Sequence, residues 1–305
     1  MRQVKEMDIL NMLMILLTLA LVATIAAGDS TEGHTYKDTI NKWRAEQDAD
    51  LRKPESWLSL AGLFWLQEGP NSFGSADGSV VVIPHGEGPE IAGTLVRTGS
   101  TVSLNLAEGV SATIAGKPVS GDVPLKSDAK GAPDRIKMGA ITFIVVVRGE
   151  RIGIRMWNSK SPRRKSFEGM KWYPVDSSYR VKAKFTPYNP PKKISYLNIL
   201  GDMEEGNCPG YLEFDLHGQH CRLEAEGRLN SLFLNFRDGT SGKSTYGAGR
   251  FLETASVVNG TAILDFNQAI SPPCAVTDFA TCPLPPRSNY LTVSIEAGEK
   301  AMQHK

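Results

Sequence analysis

Apolar and polar residues alternate along most of the chain, and this alternation is typical of strands that bury one face and expose the other. It is clearest in residues 179–185 and continues in further runs up to residue 236. Residues 69–115 contain short β-branched runs separated by Gly, Asn, Asp and Pro, as expected for antiparallel strands joined by tight turns. Residues 140–155 and the segment around Gly218 each predict a hairpin. The pattern indicates a mainly β protein.

One segment near the N-terminus has helical spacing instead. Ile40, Trp43 and Leu51 recur at that spacing among charged residues, which predicts an amphipathic helix over residues 36–51 that packs on a sheet. The apolar run that follows, residues 57–66, is interpreted as core. A ligand-stacking surface is the alternative for its aromatic residues.

The chain begins with the pattern of an export signal. Arg2 and Lys5 precede an almost wholly apolar stretch, which ends in small residues at Gly28. We therefore expect a signal peptide over residues 1–28 and a periplasmic or secreted protein. An uncleaved N-terminal membrane anchor is the alternative, because the apolar stretch approaches the length that spans a bilayer.

A polar segment in the middle of the chain, residues 159–169, has the composition of a linker. It separates a helix plus an N-terminal β domain, residues 36–158, from a C-terminal β domain, residues 170–300. We expect the first to be antiparallel and sandwich-like. The second is expected to be an antiparallel β barrel or sandwich.

Charge and motifs narrow the function classes. The formal net charge is +1 without a long basic block, so neither nucleic acid nor a membrane beyond the signal segment is predicted as a partner. No GxGxxG, P-loop, G-x-S-x-G or H-E-x-x-H sequence occurs. The sequence indicates no particular cofactor and leaves open whether the protein is an enzyme.

The cysteines all lie in the C-terminal third of the chain. In an oxidising compartment their even number predicts two disulfides, with a connectivity that sequence alone leaves open. Because no C-x-x-C spacing occurs, no metal site is predicted. The four are Cys208, Cys221, Cys274 and Cys282. Two sets of residues are the alternatives for a metal, namely Cys274 and Cys282 with Asp265, or His217 and His220 with Cys221.

Candidate functional residues concentrate in the C-terminal part of the chain. The loop over residues 237–250 has four Gly in fourteen residues, so its backbone N–H groups can approach a ligand. Arg250 and Lys243 would add positive charge against a carboxylate or phosphate. The alternative is a tight β connection in which Asp238 and Thr240 bond to the turn backbone.

Two further pairs of polar residues follow this loop. Asp265 and Asn267 end an apolar strand, and alternation places both on one face, where they could bind a cation, orient a water or cap a loop. Glu296 and Glu299 lie close to the end of the segment. Either could form a buried ion pair with Arg250.

Several pieces of residues 236–300 form a recognisable set: F-R-D-G-T-S-G-K-S-T-Y-G-A-G-R-F-L, L-D-F-N-Q-A, P-P-C-A, C-P-L-P-P, N-Y-L and E-A-G-E-K. Nearer the N-terminus, W-R-A-E-Q-D-A-D-L and W-L-S-L-A-G-L-F-W-L-Q-E-G complete it. The set resembles a bacterial family known as domain of unknown function 1684, which supplies no reaction. The resemblance implies that eleven residues belong together, namely Asp238, Thr240, Tyr246, Arg250, Asp265, Asn267, Cys274, Cys282, Asn289, Glu296 and Glu299.

The same resemblance separates the cysteines into two pairs. Cys274 and Cys282 are part of the motif, whereas Cys208 and Cys221 are peculiar to this chain. It therefore implies that the second pair is the structural disulfide.

The sequence favours a small-molecule or anion-binding β domain, in which Tyr246 and Arg250 of the Gly-rich loop are backed by Asp265 and Asn267. The expected partner is a small or anionic ligand. A hydrolase-type enzyme is the alternative, with Asp265 or Glu296 as general base and Arg250 stabilising an anion. A structural or metal-binding module is the third interpretation.

Overall fold

The structure, a computed structural model, describes residues 35–302. The segment predicted to be a signal peptide, residues 1–28, lies outside the described residues. Helix α1 spans residues 35–51 and confirms the predicted amphipathic helix. From its buried face Arg44 donates hydrogen bonds to the backbone oxygens of Tyr173 and Asn267. Within residues 35–302 no helix is both long enough and apolar enough to cross a membrane.

Strands dominate the rest of the described chain and confirm the mainly β prediction. The first eleven are β1 (Leu60–Trp65), β2 (Gly69–Gly74), β3 (Val81–Val82), β4 (Gly93–Thr98), β5 (Thr101–Leu106), β6 (Thr113–Ile114), β7 (Lys117–Pro118), β8 (Asp122–Leu125), β9 (Ile136–Met138), β10 (Ile141–Arg148) and β11 (Arg151–Asn158). After the short helix α2 (Pro162–Lys165) come β12 (Arg180–Leu197), β13 (Met203–Leu216), β14 (Gln219–Arg228), β15 (Ser231–Phe236), β16 (Arg250–Glu253) and β17 (Thr261–Asp265).

The first eleven strands form two facing sheets. Sheet I has the order β1-β11-β10-β9-β6-β7, and sheet II has the order β3-β2-β4-β5-β8. Their inward side chains build one core, to which Leu95 and Ile154 belong. The rings of Phe73 in sheet II and Phe143 in sheet I meet edge to face at 5.0 Å between centroids. The alternating residues of β2, β4 and β5 therefore bury one face each, as the pattern predicts.

Strand β10 is apolar on both faces, which explains why its sequence does not alternate. Phe143 and Val145 belong to the core between the two sheets. Ile144 and Val146 point to the opposite face, where they form a small cluster that Phe279 of the C-terminal half packs against. Both faces of this strand are therefore removed from water, and each buried apolar side chain contributes about 1.5–3 kcal/mol.

The C-terminal half forms sheet III, with the order β16-β15-β14-β13-β12-β17 and antiparallel pairing throughout. One side of sheet III carries a separate core in which Phe266 contacts Phe214 and Phe236, both at 5.5 Å between ring centroids. Residues 266–300 continue as loops and short turns of 3-10 helix that cover this core.

Two tight turns confirm the predicted hairpins. Gly149 has a φ of 57° at the turn between β10 and β11. His217 and Gly218 have φ values of 50° and 77° between β13 and β14, as a two-residue turn of the mirror-image kind requires. The hairpin register places hydrophobic residues of both strands on the core side of sheet III.

Candidate functional site

Arg250, the expected anion ligand, lies completely inside the protein. Its Nη2 donates to Asp238 Oδ2 at 2.6 Å and to the Ile295 carbonyl at 2.9 Å. Nη1 donates to the Ala297 carbonyl. Neither Arg250 nor Asp238 has exposed side-chain surface. The guanidinium therefore ties β16 to residues 295–297.

The remaining oxygen of Asp238 is also occupied. Oδ1 accepts from the Thr240 N–H at 2.7 Å and from the Thr240 hydroxyl at 2.5 Å. The hydroxyls of Thr240 and Thr245 are 2.8 Å apart. The Gly-rich loop is thus a tight connection with internal bonds, which is the alternative considered from the sequence.

The expectation that Arg250 forms a buried ion pair with Glu296 or Glu299 is wrong, because another carboxylate is its partner. Asp238 takes that place, because Arg250 pairs with Phe236 across β15 and β16, and Asp238 follows Phe236 by two residues. Glu296 is exposed instead. Glu299 is buried, and its carboxylate accepts a hydrogen bond from the Ser271 N–H at 2.6 Å.

Asp265 and Asn267 lie together, as alternation and their spacing indicate, and they receive a residue from helix α1. The Tyr36 hydroxyl lies 2.9 Å from both carboxylate oxygens of Asp265. Asn267 Nδ2 lies 3.0 Å from the same hydroxyl. Burial and the Asp265 charge raise the pKa of Tyr36 above its ordinary value, so the phenol stays protonated and donates. This cluster anchors α1 on sheet III.

Asn289 joins two strands where their own pairing ends. Its Nδ2 donates to the carbonyls of Glu224 in β14 and Asn235 in β15, both at 2.9 Å. Its Oδ1 accepts from the Glu224 N–H at 2.7 Å. The amide therefore acts as a short piece of strand between β14 and β15, which pair directly only from Glu226 onward.

The predicted disulfide between Cys208 and Cys221 is wrong. In the β13–β14 register Cys221 lies opposite Phe214, six positions from Cys208 along β13, or about 20 Å. A disulfide requires Cα atoms within about 7 Å of each other. Both are free and buried thiols. Burial, and then a hydrogen bond to Glu224, raise the pKa of Cys208 to about 11.

The expectation of a second disulfide is wrong as well, because Cys274 and Cys282 are also free thiols, although they are neighbours. The Cys274 N–H donates to Cys282 Sγ at 3.2 Å. The Tyr246 hydroxyl donates to the Cys274 carbonyl at 3.1 Å. Tyr246 therefore holds the loop that carries these cysteines.

The metal sets considered from the sequence are not assembled. Within residues 35–302 no three or more His, Cys, Asp and Glu residues are grouped as a metal site would need. His217 packs edge to face against Tyr179 at 4.8 Å, and His220 Nδ1 lies 3.1 Å from Asp215. These contacts account for the histidines of the hairpin.

A cavity of about 460 Å³ lies between helix α1, sheet I and the loop after β17, within the roughly 300–1,000 Å³ that small-molecule sites occupy. We call it the Glu299 cavity, because Glu299 is the buried charged residue on its wall. Ser271 lies beside it. The apolar wall includes Leu51, Trp57, Trp157, Ile270, Pro272 and Val276.

The Glu299 carboxylate is buried with one of its oxygens unpartnered. It is 1% exposed, and its Oε1 has no hydrogen-bond partner within the described residues. The Ser271 hydroxyl has none either. Burial raises the pKa of Glu299 to about 7, although the Ser271 N–H, the nearby Ser271 hydroxyl and the Arg250 charge act in the opposite direction. The carboxyl can therefore hold or release a proton near neutral pH.

The other charges on the cavity wall are paired. Lys53 contacts Asp50 at the end of α1. Glu55 binds Arg135, and its Oε1 lies 3.3 Å from Lys137 Nζ. Glu299 is therefore the buried carboxylate of this wall, and its Oε1 is available to a bound molecule.

Trp57, Trp157 and Ser271 are lining residues that the sequence interpretation missed. Trp57 was interpreted as core, yet it is 37% exposed and lines the cavity. The guanidinium of Arg155 lies 5.6 Å from its ring centroid, and that of Arg135 lies 5.1 Å from the Trp157 ring. The sequence signal for the tryptophans is the cluster of aromatic residues just after α1, for which a ligand-stacking surface is the alternative to core.

Comparison with known proteins places the C-terminal half in a family. The model of the family described as "Protein of unknown function (DUF1684)" matches residues 165–300. The N-terminal pieces that resemble the family lie outside this range. No curated protein matches the chain. Nine chains of solved structures match, among them a solution NMR structure of an uncharacterized protein from Haloarcula marismortui with 35% sequence identity and a TM-score of 0.39, which covers 45% of this chain and 79% of that one.

Proposed function

The chain belongs to the DUF1684 family, and we propose that it binds a small molecule in the Glu299 cavity. The molecule has an apolar body and a hydrogen-bond-donating head group, preferentially a cationic one. The observation that carries this proposal is the buried Glu299 carboxylate with an unpartnered Oε1 on the wall of a cavity of about 460 Å³. Buried polar atoms nearly always have a partner, and a ligand N–H would supply one here.

The walls suit an apolar body. Trp57 and Trp157 contribute large rings, and Ile270 and Val276 contribute aliphatic surface. Removing such surface from water stabilises a complex by about 25 cal/mol for each Å². Most of the affinity would come from this contact, and the polar head would fix the orientation.

Charge decides which head group fits. Glu299 has a free oxygen, whereas Lys53 on the same wall is engaged by Asp50. Arg250, the expected anion ligand, is sealed in its own ion pair. An ammonium group near Glu299 would favour the ionised carboxylate and gain a charge-assisted hydrogen bond. An anionic head placed at Glu299 would be repelled by the ionised carboxylate.

A panel of small molecules with one shared ring and different head groups tests this proposal. Binding to the full chain is measured by ligand-observed NMR with amine, amide, alcohol and carboxylate members. We expect amines to bind best and carboxylates worst. The proposal fails if carboxylates bind as well as amines, or if no member of the panel binds.

The apolar wall has its own test. Trp57→Ala should weaken every member of the panel by a similar factor of about ten or more, since it removes contact with the shared ring. Tyr290→Ala is the matched control, because Tyr290 is similarly exposed at 40% and does not line the cavity. Equal effects of the two variants would contradict the assignment.

Acid–base catalysis is the second candidate function. A pKa of about 7 for Glu299 is in the range that suits a general acid or base at neutral pH, and the unpartnered Ser271 hydroxyl lies on the same wall. Recovery of a bound molecule from the protein distinguishes the two. A binding protein returns it unchanged, whereas an enzyme converts it with a rate that Glu299→Gln abolishes.

The N-terminal pattern supports export of the protein. Arg2, Lys5 and the apolar stretch that ends at Gly28 are the observations for it. Sequencing the N-terminus of the mature protein tests this part of the proposal. A chain that begins at Asp29 is expected, and one that begins at Met1 would favour the anchor.

A further inference from the structure

The loop between β17 and the C-terminal segment brings two thiols together in a fixed geometry. Cys274 lies in a 3-10 turn, Pro273–Ala275, and Cys282 follows eight residues later. The Cys274 N–H donates to Cys282 Sγ at 3.2 Å. Prolines precede and follow the pair at Pro272 and Pro283, which limits the backbone conformations available to both ends.

The two thiols differ in access from solvent. Cys282 is 5% exposed, whereas Cys274 is partly exposed. A reagent from solution therefore reaches Cys274 first. Cys282 is the more buried of the two, and its S–H contacts the Cys274 sulfur.

A buried cation lies on the Cys282 side of this pair. Arg155 in β11 is 7% exposed, and its Nε has no hydrogen-bond partner. Within the described residues it forms no ion pair, and its charge acts on Cys282. This charge acts to lower the pKa of Cys282, but the hydrogen bond to Cys274, burial and the Cys274 charge raise that pKa overall, so Cys282 keeps its proton. The thiolate, which is the reactive form, is favoured at Cys274. The Cys282 S–H, and then the Tyr246 hydroxyl, hold the pKa of Cys274 below its usual range, although burial opposes them.

The loop does not need a disulfide to keep its shape. Arg163 donates to the Val276 carbonyl at 2.8 Å, and Tyr246 donates to the Cys274 carbonyl. Arg148 Nε donates to the Thr281 hydroxyl at 3.2 Å. These bonds anchor the loop at both ends and leave the thiols free to react.

We propose that Cys274 and Cys282 are a redox-active thiol pair that is oxidised to an intramolecular disulfide by exchange with a low-molecular-weight disulfide. This inference goes beyond ligand binding and does not depend on it. Cys274 is the attacking residue and Cys282 the resolving residue.

The reaction balances in two steps. The Cys274 thiolate attacks one sulfur of the small disulfide, so that a mixed disulfide forms, the S–S bond of the reagent breaks, and one thiolate leaves. Cys282 then loses its proton to solvent and attacks Cys274 Sγ, which releases the second thiolate. The protein gives up two electrons and two protons, and the reagent becomes two thiols.

Cys208 and Cys221 are internal controls for the reactivity of Cys274 and Cys282. Both are buried, and burial raises the pKa of each above its ordinary value. They are on the same sheet but far apart along it. Neither has a neighbouring thiol that could complete an exchange.

The experiment uses the full reduced chain in buffers of oxidised and reduced glutathione, with intact mass as the readout. We expect the wild type to lose two hydrogens, and peptide mapping to find Cys274 joined to Cys282. Cys282→Ser should stop with one glutathione attached at Cys274. Cys274→Ser should stay unmodified, and Cys208→Ser should behave as the wild type.

Three results would overturn the proposal: a wild type that keeps four thiols at every glutathione ratio, a disulfide that involves Cys208 or Cys221, or a Cys282→Ser variant that acquires no glutathione. Circular dichroism checks that each variant is folded. If a serine variant does not fold, alkylation rates of the wild type decide instead. Cys274 must then react fastest of the four cysteines, and a faster reaction at any other cysteine refutes its role.

Discussion

The Arg250 guanidinium and the Asp238 carboxylate form an ion pair from which water is excluded. Nη2 lies 2.6 Å from Oδ2, and neither side chain has exposed surface. The same guanidinium bonds to the carbonyls of Ile295 and Ala297. The polar residues that attract most attention in the sequence therefore hold the C-terminal segment against sheet III.

Breaking this pair should destabilise the protein strongly. Arg250→Met leaves the Asp238 carboxylate buried without its counter-ion, and we expect a loss of about 3–5 kcal/mol in the free energy of unfolding. Urea denaturation measures it. The exposed Arg287, changed to Met, is the matched control and should change stability by less than about 0.5 kcal/mol. Similar losses in the two variants would contradict the structural role of Arg250.

Removing the Tyr36 hydroxyl should loosen helix α1. Tyr36→Phe deletes the donor to Asp265 and the partner of Asn267 Nδ2, which costs about 1–3 kcal/mol when buried groups lose their partner. Amide hydrogen exchange should become faster in residues 35–51. Tyr290→Phe is the control, since Tyr290 is exposed. Unchanged exchange in α1 would show that other contacts hold the helix.

The Asn289 amide should contribute more to the free energy of unfolding than an ordinary loop side chain does. Asn289→Ala removes bonds to Glu224 and Asn235 that complete two strands, with an expected loss of roughly 2–4 kcal/mol, because buried backbone groups lose their partners. Chemical denaturation compares it with Ser288→Ala, at the exposed neighbouring position. A loss below about 1 kcal/mol would mean that β14 and β15 stay together without the Asn289 amide.

Stability should depend on pH through Glu299. Burial raises its pKa in the folded state from 4.5 to about 7, so the folded protein binds the proton more tightly than the unfolded chain does. Stability therefore falls as pH rises through the window from about 4.5 to 7, by up to about 3 kcal/mol, and then levels off. The difference between the wild type and Glu299→Gln isolates this contribution. The control Glu296→Gln should follow the wild type, and parallel curves for all three would contradict the assignment.

Local patterns in the sequence are sufficient to predict helix α1 and most of the strands. Alternation predicts the strands, and His217 and Gly218 mark the hairpin turn. Helical spacing predicts α1, because a helix that buries one face repeats its apolar residues about every 3.6 positions. These are properties of consecutive residues. They follow from backbone geometry without knowledge of the partner surface.

The candidate site depended on contacts between distant residues, which spacing does not encode. Asp238, not Glu299, meets Arg250, because the pairing of β15 with β16 brings them together. Cys208 and Cys221 are close in sequence, yet the strand register separates them. Trp57 borders a cavity because residues from both halves of the chain meet there.

In the proposed complex, Glu299 receives the head group of a ligand in the cavity beside it. Isothermal titration of the best-binding amine of the panel into wild type, Glu299→Gln and Glu296→Gln proteins tests this placement. We expect Glu299→Gln to weaken binding at least about tenfold, or about 1.4 kcal/mol, and Glu296→Gln to bind as the wild type does. Equal affinity of all three proteins for the amine would contradict it.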